Sequence, residues 1–533
     1  MPVSSLQYPT KDTPVIQFGS ILFLEQDACI GKCAEPDIFR DLNLDQIVEA
    51  ITTGRDEYDL KPFFYMPLSS VEAITYRYDV LSDLESALVA DHIASFASRM
   101  RQMRNSLALR EKLYYERQKQ RWFLNAVEHY CAAVDSLRGD LIEADIQSQG
   151  LQQFRDWLGW YCDCDTFTNL RTEATELVAA LREITYSLHI RGRRVTVSKY
   201  GSEPDYGTDV LNTFARFNQG ATKVYRFDRR PDAEMNHVEA AILDMVATLY
   251  PEVFDSLEAF CGRHASYLDR TIARFDREVQ FYLACLDHVR RLQEAGLTFC
   301  HATVSDRCKE VCGRDVFDLA LATTLLKSRS PIVTNDFYLK DPERVLIVTG
   351  PNQGGKTTFG RTFGQLHYLA NLGCPIPGSE ARLFFFDRIF THFERAESVR
   401  TLKGRLEDEL LRIKNILDWA TPNSILIMNE SFLSTTVNDA VFLSRQILQK
   451  IVDLDLLCVS ITFLDELASF GATTVSMVSN VDPKDPTSRT FKIVRKPADG
   501  LAYALAIAQK YRLTSQDIEA RIPRTDIQQA AAR

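Results

Sequence analysis

The spacing of apolar residues divides the chain into stretches of different character. From about Leu68 to about Tyr186 the text is long, charged and helix-forming, with breaks expected near Arg138-Gly139 and Gln149-Gly150. Helical spacing resumes near Ala233, where Val238, Ala241, Ile242, Met245, Val246 and Leu249 fall on one face. Next, Ile272, Phe275, Val279, Tyr282, Leu286 and Val289 step alternately by three and four. That period predicts long helices packed lengthwise, and an ordinary helical core accounts for the same stripes. After Gly296 the pattern changes to short apolar runs at 345–348, 424–428, 457–462, 474–478 and 491–494, with helical text between several of them. This alternation predicts a largely parallel sheet flanked by helices. The helix through Leu406, Leu410, Ile413 and Leu417 should end before Pro422. Ahead of Leu68, Val15-Ile16-Gln17-Phe18 and Ile21-Leu22-Phe23-Leu24 read as strand pieces and a helix is expected after Leu42; no chemistry is assigned there.

The expected organisation is therefore multidomain. A small segment, 1–60, precedes a long α-helical core, 61–297, which carries an insertion at 186–230; an α/β domain occupies 298–533. A chain of 533 residues has room for about three or four such units. The insertion differs from the helices around it. Val195-Thr196-Val197 and Val224-Tyr225 are strand-like, and Arg191, Arg193, Arg194, Lys199, Arg216, Lys223, Arg226, Arg229 and Arg230 face only four acidic residues. Such an island can meet a phosphate backbone, or can simply be a solvated face.

The net charge of −10 argues against a generally basic nucleic-acid binder, so any such surface has to be local. With 45% hydrophobic and 25% charged residues, no basic-then-apolar leader and no apolar run of about 18 residues, a cytoplasmic protein with no membrane partner is expected. Cys29/Cys33, Cys308/Cys312 and Cys162/Cys164 lack a second pair at zinc-site spacing and read as ordinary thiols.

The chemistry concentrates at 345–358. The apolar run Val345-Leu346-Ile347-Val348 leads into Gly350-Pro351-Asn352-Gln353-Gly354-Gly355-Lys356-Thr357-Thr358, the pattern of a phosphate-binding loop between strand and helix. Glycines let backbone N–H groups wrap phosphates, Lys356 can neutralise them, and the Thr357 hydroxyl can bind Mg²⁺. A second apolar strand, 424–428, ends in Asn429-Glu430. The first is placed to hold Mg²⁺ indirectly and the second to act as general base toward water. An amide at 429 brings no charge, so weaker Mg²⁺ binding is expected than with a carboxylate.

Together these segments resemble the MutS family of DNA mismatch-repair ATPases over residues 60–522. The loop from Thr349 to Thr358 is similar to that family's TGPNMGGKST; Asp387-Arg388-Ile389-Phe390-Thr391 stands where the family has DRIFTR; Ile427-Met428-Asn429-Glu430 corresponds to LMDE; and Ser434, Thr435 and Asp439 fall in its Gly-Thr-Ser-Thr-x-Asp-Gly run. Tyr503 to Glu519 resembles its terminal helical segment, which helps to pair subunits. The resemblance implies a helical lever and clamp followed by an ABC-type phosphate-loop ATPase domain, with ATP and Mg²⁺ as cofactors, a homodimer formed through that domain, and DNA held by backbone contacts from the 186–230 insertion.

The departures from the family are also specific. About 60 residues precede the core where the family carries its mismatch-reading domains; the Walker B aspartate is Asn429; the switch histidine is Phe463; the adenine-stacking aromatic falls at Ile332; and the serine that reaches the partner's ATP aligns with Gly404. Arg405 follows, and can either act as an arginine finger in trans or pair with Glu409 on its own helix. Two readings stay open: an ATP-gated dimeric clamp on DNA, and a nucleotide-dependent dimerisation scaffold with little hydrolysis. A chromosome-organising ATPase of the ABC type would need a Ser-Gly-Gly run at a helix start, and none is present.

Overall fold

The computed structural model describes residues 18–24, 34–201, 213, 235–328, 330–394, 404–432, 434–482, 489–498 and 511–521. The chain divides into two compact units, one made of residues 1–21 and 83–279 and the other of 22–82 and 280–533. Neither is continuous in sequence.

In the first unit, Ala87–Lys112 and Glu116–Glu143 are long helices packed along their length. Ile93, Phe96, Met100 and Met103 are buried on one, and Phe123, Val127, Tyr130, Val134, Leu137 and Leu141 on the other. Both rows step by three and four, the spacing that keeps one seam facing a neighbour. The Asn125 amide also donates to the Ser106 hydroxyl across the pair at 3.1 Å. The break expected at Arg138-Gly139 does not occur, since Gly139 lies inside the second helix with open space where a Cβ would stand. An exposed helical glycine costs only about 1 kcal/mol, which the buried seam outweighs. The chain turns instead at Leu113–Tyr115, where Leu113 and Tyr115 are extended although no Gly or Pro marks the place. The break near Gln149 is present: Ser148 caps the helix Gln149–Asp163 by accepting from the Leu151 N–H.

After the helix Asp165–Glu183 comes a hairpin, Tyr186–Arg191 against Arg194–Lys199, antiparallel and closed by Gly192-Arg193. Its base packs through Val197 on a cluster of Val246, Ala247 and Phe254. The second strand expected in this insertion, Val224-Tyr225, lies outside the described residues.

The second unit is α/β. Its central sheet has six strands: β1 (Val345–Thr349), β2 (Ile389–His392), β3 (Ile425–Asn429), β4 (Leu457–Ile461), β5 (Thr474–Val481) and β6 (Arg489–Arg495), in the order β2-β3-β4-β1-β5-β6. The first five in that order are parallel, and β6 is antiparallel to β5. Covered faces explain why β1 and β4 are buried throughout and mostly apolar. On one side Val345, Ile347, Leu426, Met428 and Cys458 meet Ile413 of helix α2 (Arg405–Trp419) and Ile447, Leu448 and Ile451 of helix α3 (Val437–Asp453). On the other lies helix α1 (Lys356–Asn371), almost wholly buried.

Helix α1 approaches the sheet closely because it has glycine at 360 and 364. A Cβ on Gly360 would stand 2.5 Å from Ile461 Cδ1, and one on Gly364 would stand 2.6 Å from Ile427 Cδ1. The far side of α1 is covered by the segment to which the sequence assigned no chemistry. Short helices Ile38–Leu42 and Leu44–Thr52 lie there, and no strand forms at 21–24. Arg361 donates to the Asp41 carbonyl (2.9 Å), Gln365 to the Leu42 carbonyl (2.8 Å) and the Tyr368 hydroxyl to the Phe64 carbonyl (2.9 Å). A second, four-stranded sheet joins 303–305, 380–384, 311–316 and 335–339 in that order. Among the described residues no helix is long and apolar enough to cross a membrane, and the cysteines are free thiols.

Candidate nucleotide-binding site

Strand β1 lies inside the sheet between β4 and β5, so its C-terminal end opens onto the crevice where parallel sheets of this kind bind ligands. The chain leaves it through Gly350 (φ +118°), Gln353 (φ +59°) and Gly355 (φ +89°) and enters α1 at Lys356. Left-handed backbone at these positions folds 350–355 over the start of the helix, where free N–H groups and the helix dipole favour an anion. The floor of the loop is Ser479 on β5, fully buried, whose hydroxyl donates to the Gly354 carbonyl at 2.7 Å. A Cβ on Gly354 would lie 2.3 Å from that oxygen. Ser479 was not singled out from the sequence, where it follows a run of strand residues with no distinguishing pattern.

Lys356 is 4% exposed. Its ammonium donates to the carbonyls of Gly350 (2.9 Å) and Pro351 (3.0 Å) and lies 4.1 Å from the centroid of the Phe463 ring. Burial pushes its pKa down to about 8, with the nearby Glu430 carboxylate opposing the shift. The Thr357 hydroxyl donates to Asn429 Oδ1 at 3.0 Å, so the two residues expected to hold Mg²⁺ are neighbours. Both offer oxygen, which suits a hard cation, and neither carries charge. Thr358 is half-buried, Pro351 is buried and Asn352 is exposed, its carbonyl accepting from Arg489 at 3.1 Å.

Glu430 follows β3 with φ +54°, and Phe432 has φ +64°. Two non-glycine residues in the left-handed region so close together are strained, and the surroundings hold them in place. The Glu430 N–H donates to the Ile461 carbonyl (2.9 Å), and the Phe432 N–H donates to the Glu409 carboxylate (2.9 Å). Asp387 pins the start of β3, accepting from Thr421 (2.5 Å) and Ser424 (2.8 Å).

The remaining predicted residues lie farther along the same domain or in the hairpin. Thr436 caps α3 by accepting from the Asp439 N–H, while the Thr435 and Thr436 hydroxyls donate to the Asp439 carboxylate (3.3 and 2.8 Å). Ser434 is exposed. Arg405 opens α2 and pairs within its own chain with Glu394 and, at 3.6 Å, with Glu409. Of the DNA-contact candidates, Arg191, Arg193, Arg194 and Lys199 are exposed on the hairpin, and Arg226, Arg229 and Arg230 lie outside the described residues.

Residues 346–520 match the family model for MutS domain V. Over this stretch the chain is similar to the MutS family. It is 34% identical over 121 residues to the DNA mismatch repair protein MutS of Halalkalibacterium halodurans, covering 23% of this chain and 14% of the relative. The DNA mismatch repair protein MSH3 of Eremothecium gossypii is 28% identical over 165 residues, 29% of this chain and 16% of the relative. MutS of Bacillus pumilus is 28% identical over 192 residues, 34% and 22% of the two chains. The matched stretches thus span less than a quarter of these MutS-family relatives, and the family model begins at the second residue of β1, one strand ahead of the glycine loop.

Proposed function

We propose that this MutS-like protein binds ATP in the 350–358 loop and works as an ATP-gated dimeric clamp on DNA, in mismatch repair or in another role that depends on DNA structure. The observation that carries the reading is the glycine loop at the C-terminal end of β1, with Lys356 and the Thr357–Asn429 pair beside it. Bound ATP supplies the triphosphate to be cleaved. Loop N–H groups and Lys356 bind its phosphates, the Thr357 and Asn429 oxygens would hold Mg²⁺, and the Glu430 carboxylate takes a proton from water. Homodimerisation through the ATPase domain and backbone contacts from the arginine-tipped hairpin belong to the same proposal, supported by the relatives' mismatch-repair names.

A second reading, a nucleotide-dependent scaffold with little turnover, is favoured by the uncharged Asn429 on the Thr357 hydroxyl. Steady-state ATP hydrolysis with and without duplex and branched DNA, at low and moderate salt, separates the two. DNA-stimulated turnover that Glu430→Gln abolishes supports the clamp. ATP binding with no turnover under any condition supports the scaffold.

A further inference from the structure

The phosphate-loop lysine is covered. Two of the three N–H donors an ammonium offers are engaged by the carbonyls of Gly350 and Pro351, and an aromatic face stands 4.1 Å from the nitrogen. The ring belongs to Phe463, two residues past the end of β4, and its position is set by the backbone around it. The Thr462 N–H donates to the Val348 carbonyl at 3.1 Å, which ties this turn to β1, and the Thr462 hydroxyl accepts from the Leu464 N–H at 3.0 Å. Phe463 itself is 38% exposed, so one part of the ring rests on Lys356 while another meets solvent. An aromatic face attracts a cation through its quadrupole, and more strongly when the pair is shielded from water. A phosphate oxygen that hydrogen-bonds Lys356 has to come within about 2.9 Å of the same nitrogen, closer than the ring now stands.

We propose that Phe463 is a gate over Lys356, closed on the ammonium when the site is empty and displaced by the phosphate chain when nucleotide enters. The inference rests on the reading of 350–358 as the nucleotide site and adds a competitor built into the chain. Nucleotide binding then exchanges a cation–aromatic contact for a cation–phosphate contact, and occupancy moves the 462–464 turn. Because that turn is hydrogen-bonded to β1 and is followed by the 3₁₀ turn Asp465–Ser469, the displacement gives the domain a local signal of nucleotide occupancy. Phe463 touches no reacting atom in this scheme; it sets how readily the lysine is reached.

The test is the affinity of the 533-residue chain for ATP and for inorganic tripolyphosphate, measured by calorimetry with and without Mg²⁺, in wild type and in Phe463→Ala, Phe463→Leu and Phe463→Trp. Removing the aromatic face should tighten binding of both ligands by about 3- to 30-fold in Phe463→Ala. Phe463→Leu keeps apolar bulk without the quadrupole and should also tighten binding, by less. Phe463→Trp offers a stronger face and should bind no more tightly than wild type. A ring with a purely structural role would give the reverse order, with Ala and Leu weakened. If Phe463→Leu melts like wild type and binds equally or less tightly, the gate is overturned. If wild type binds ATP no better than Lys356→Ala does, the nucleotide site itself fails, an outcome distinct from failure of the gate.

Discussion

Gly354 is the position where the loop has least freedom to change. Substituting alanine would place a methyl 2.3 Å from Ser479 Oγ, 3.2 Å from Ser479 Cβ and 3.1 Å from the Pro351 carbonyl. Ser479 is fully buried and its hydroxyl is already bonded to the Gly354 carbonyl at 2.7 Å, so neither partner can move into water. Overpacking of this kind and the loss of a buried hydrogen bond together amount to about 2 to 4 kcal/mol. If phosphate binding requires the loop in its present shape, that strain appears as an affinity for ATP lower by about 30- to 1,000-fold. Ser479→Gly removes both clashing atoms, leaving only the contact at Pro351. The double variant Gly354→Ala/Ser479→Gly should therefore bind ATP at least about tenfold more tightly than Gly354→Ala alone, a difference of about 1.4 kcal/mol, and the coupling is that difference corrected for the effect of Ser479→Gly by itself. Calorimetric titration of the four proteins in the cycle measures it. Wild-type affinity in Gly354→Ala, or effects that simply add, would refute the role assigned to the Ser479 floor.

The other predictions concern metal, pH and DNA. Asn429→Asp should lower the Mg²⁺ concentration needed for half-maximal hydrolysis, because a carboxylate would then stand at the Thr357 hydroxyl; an unchanged Mg²⁺ dependence removes residue 429 from the metal site. Lys356, with its pKa depressed from 10.5 to about 8, is charged in the empty site below pH 8 and loses its proton above it, so ATP affinity should fall as pH rises from 8 to 10. The unfolded chain binds more protons at this lysine between pH 8 and 10.5, so its contribution to folding stability rises over the same window. Melting curves and ATP titrations compared with Lys356→Met should show the two opposite trends, and a flat affinity profile would contradict the burial argument. Replacing Arg191, Arg193 and Arg194 with alanine should weaken binding to all duplex sequences and flatten the salt dependence, as phosphate contacts require.

What the sequence made legible follows from where burial is continuous. The phosphate loop and the strands β1, β3 and β4 were readable because both faces of the sheet are covered, which leaves mostly apolar runs beside a glycine pattern. Strand β2 was not, being four residues long and containing Thr391 and His392. The second sheet was not either, since its strands mix Arg314, Asp315, Asp336, Glu380 and Arg382 with apolar residues. Docking of 38–64 on α1 depends on backbone carbonyls of Asp41, Leu42 and Phe64, whose positions no side-chain pattern announces. Phe463 was legible as a departure from the family and not as a contact, because the 4.1 Å approach to Lys356 joins the turn after β4 to the first residue of α1.

The central claim is that residues 350–358 bind a nucleotide triphosphate through Lys356. Calorimetric titration of ATP into the wild-type chain and into Lys356→Ala, in the presence of Mg²⁺, addresses it directly. Wild type should saturate at one ATP per chain, and Lys356→Ala, having lost the buried cation at the mouth of α1, should bind at least about a hundredfold more weakly. Equal affinity in the two proteins, or heat that never saturates in wild type, would contradict the assignment.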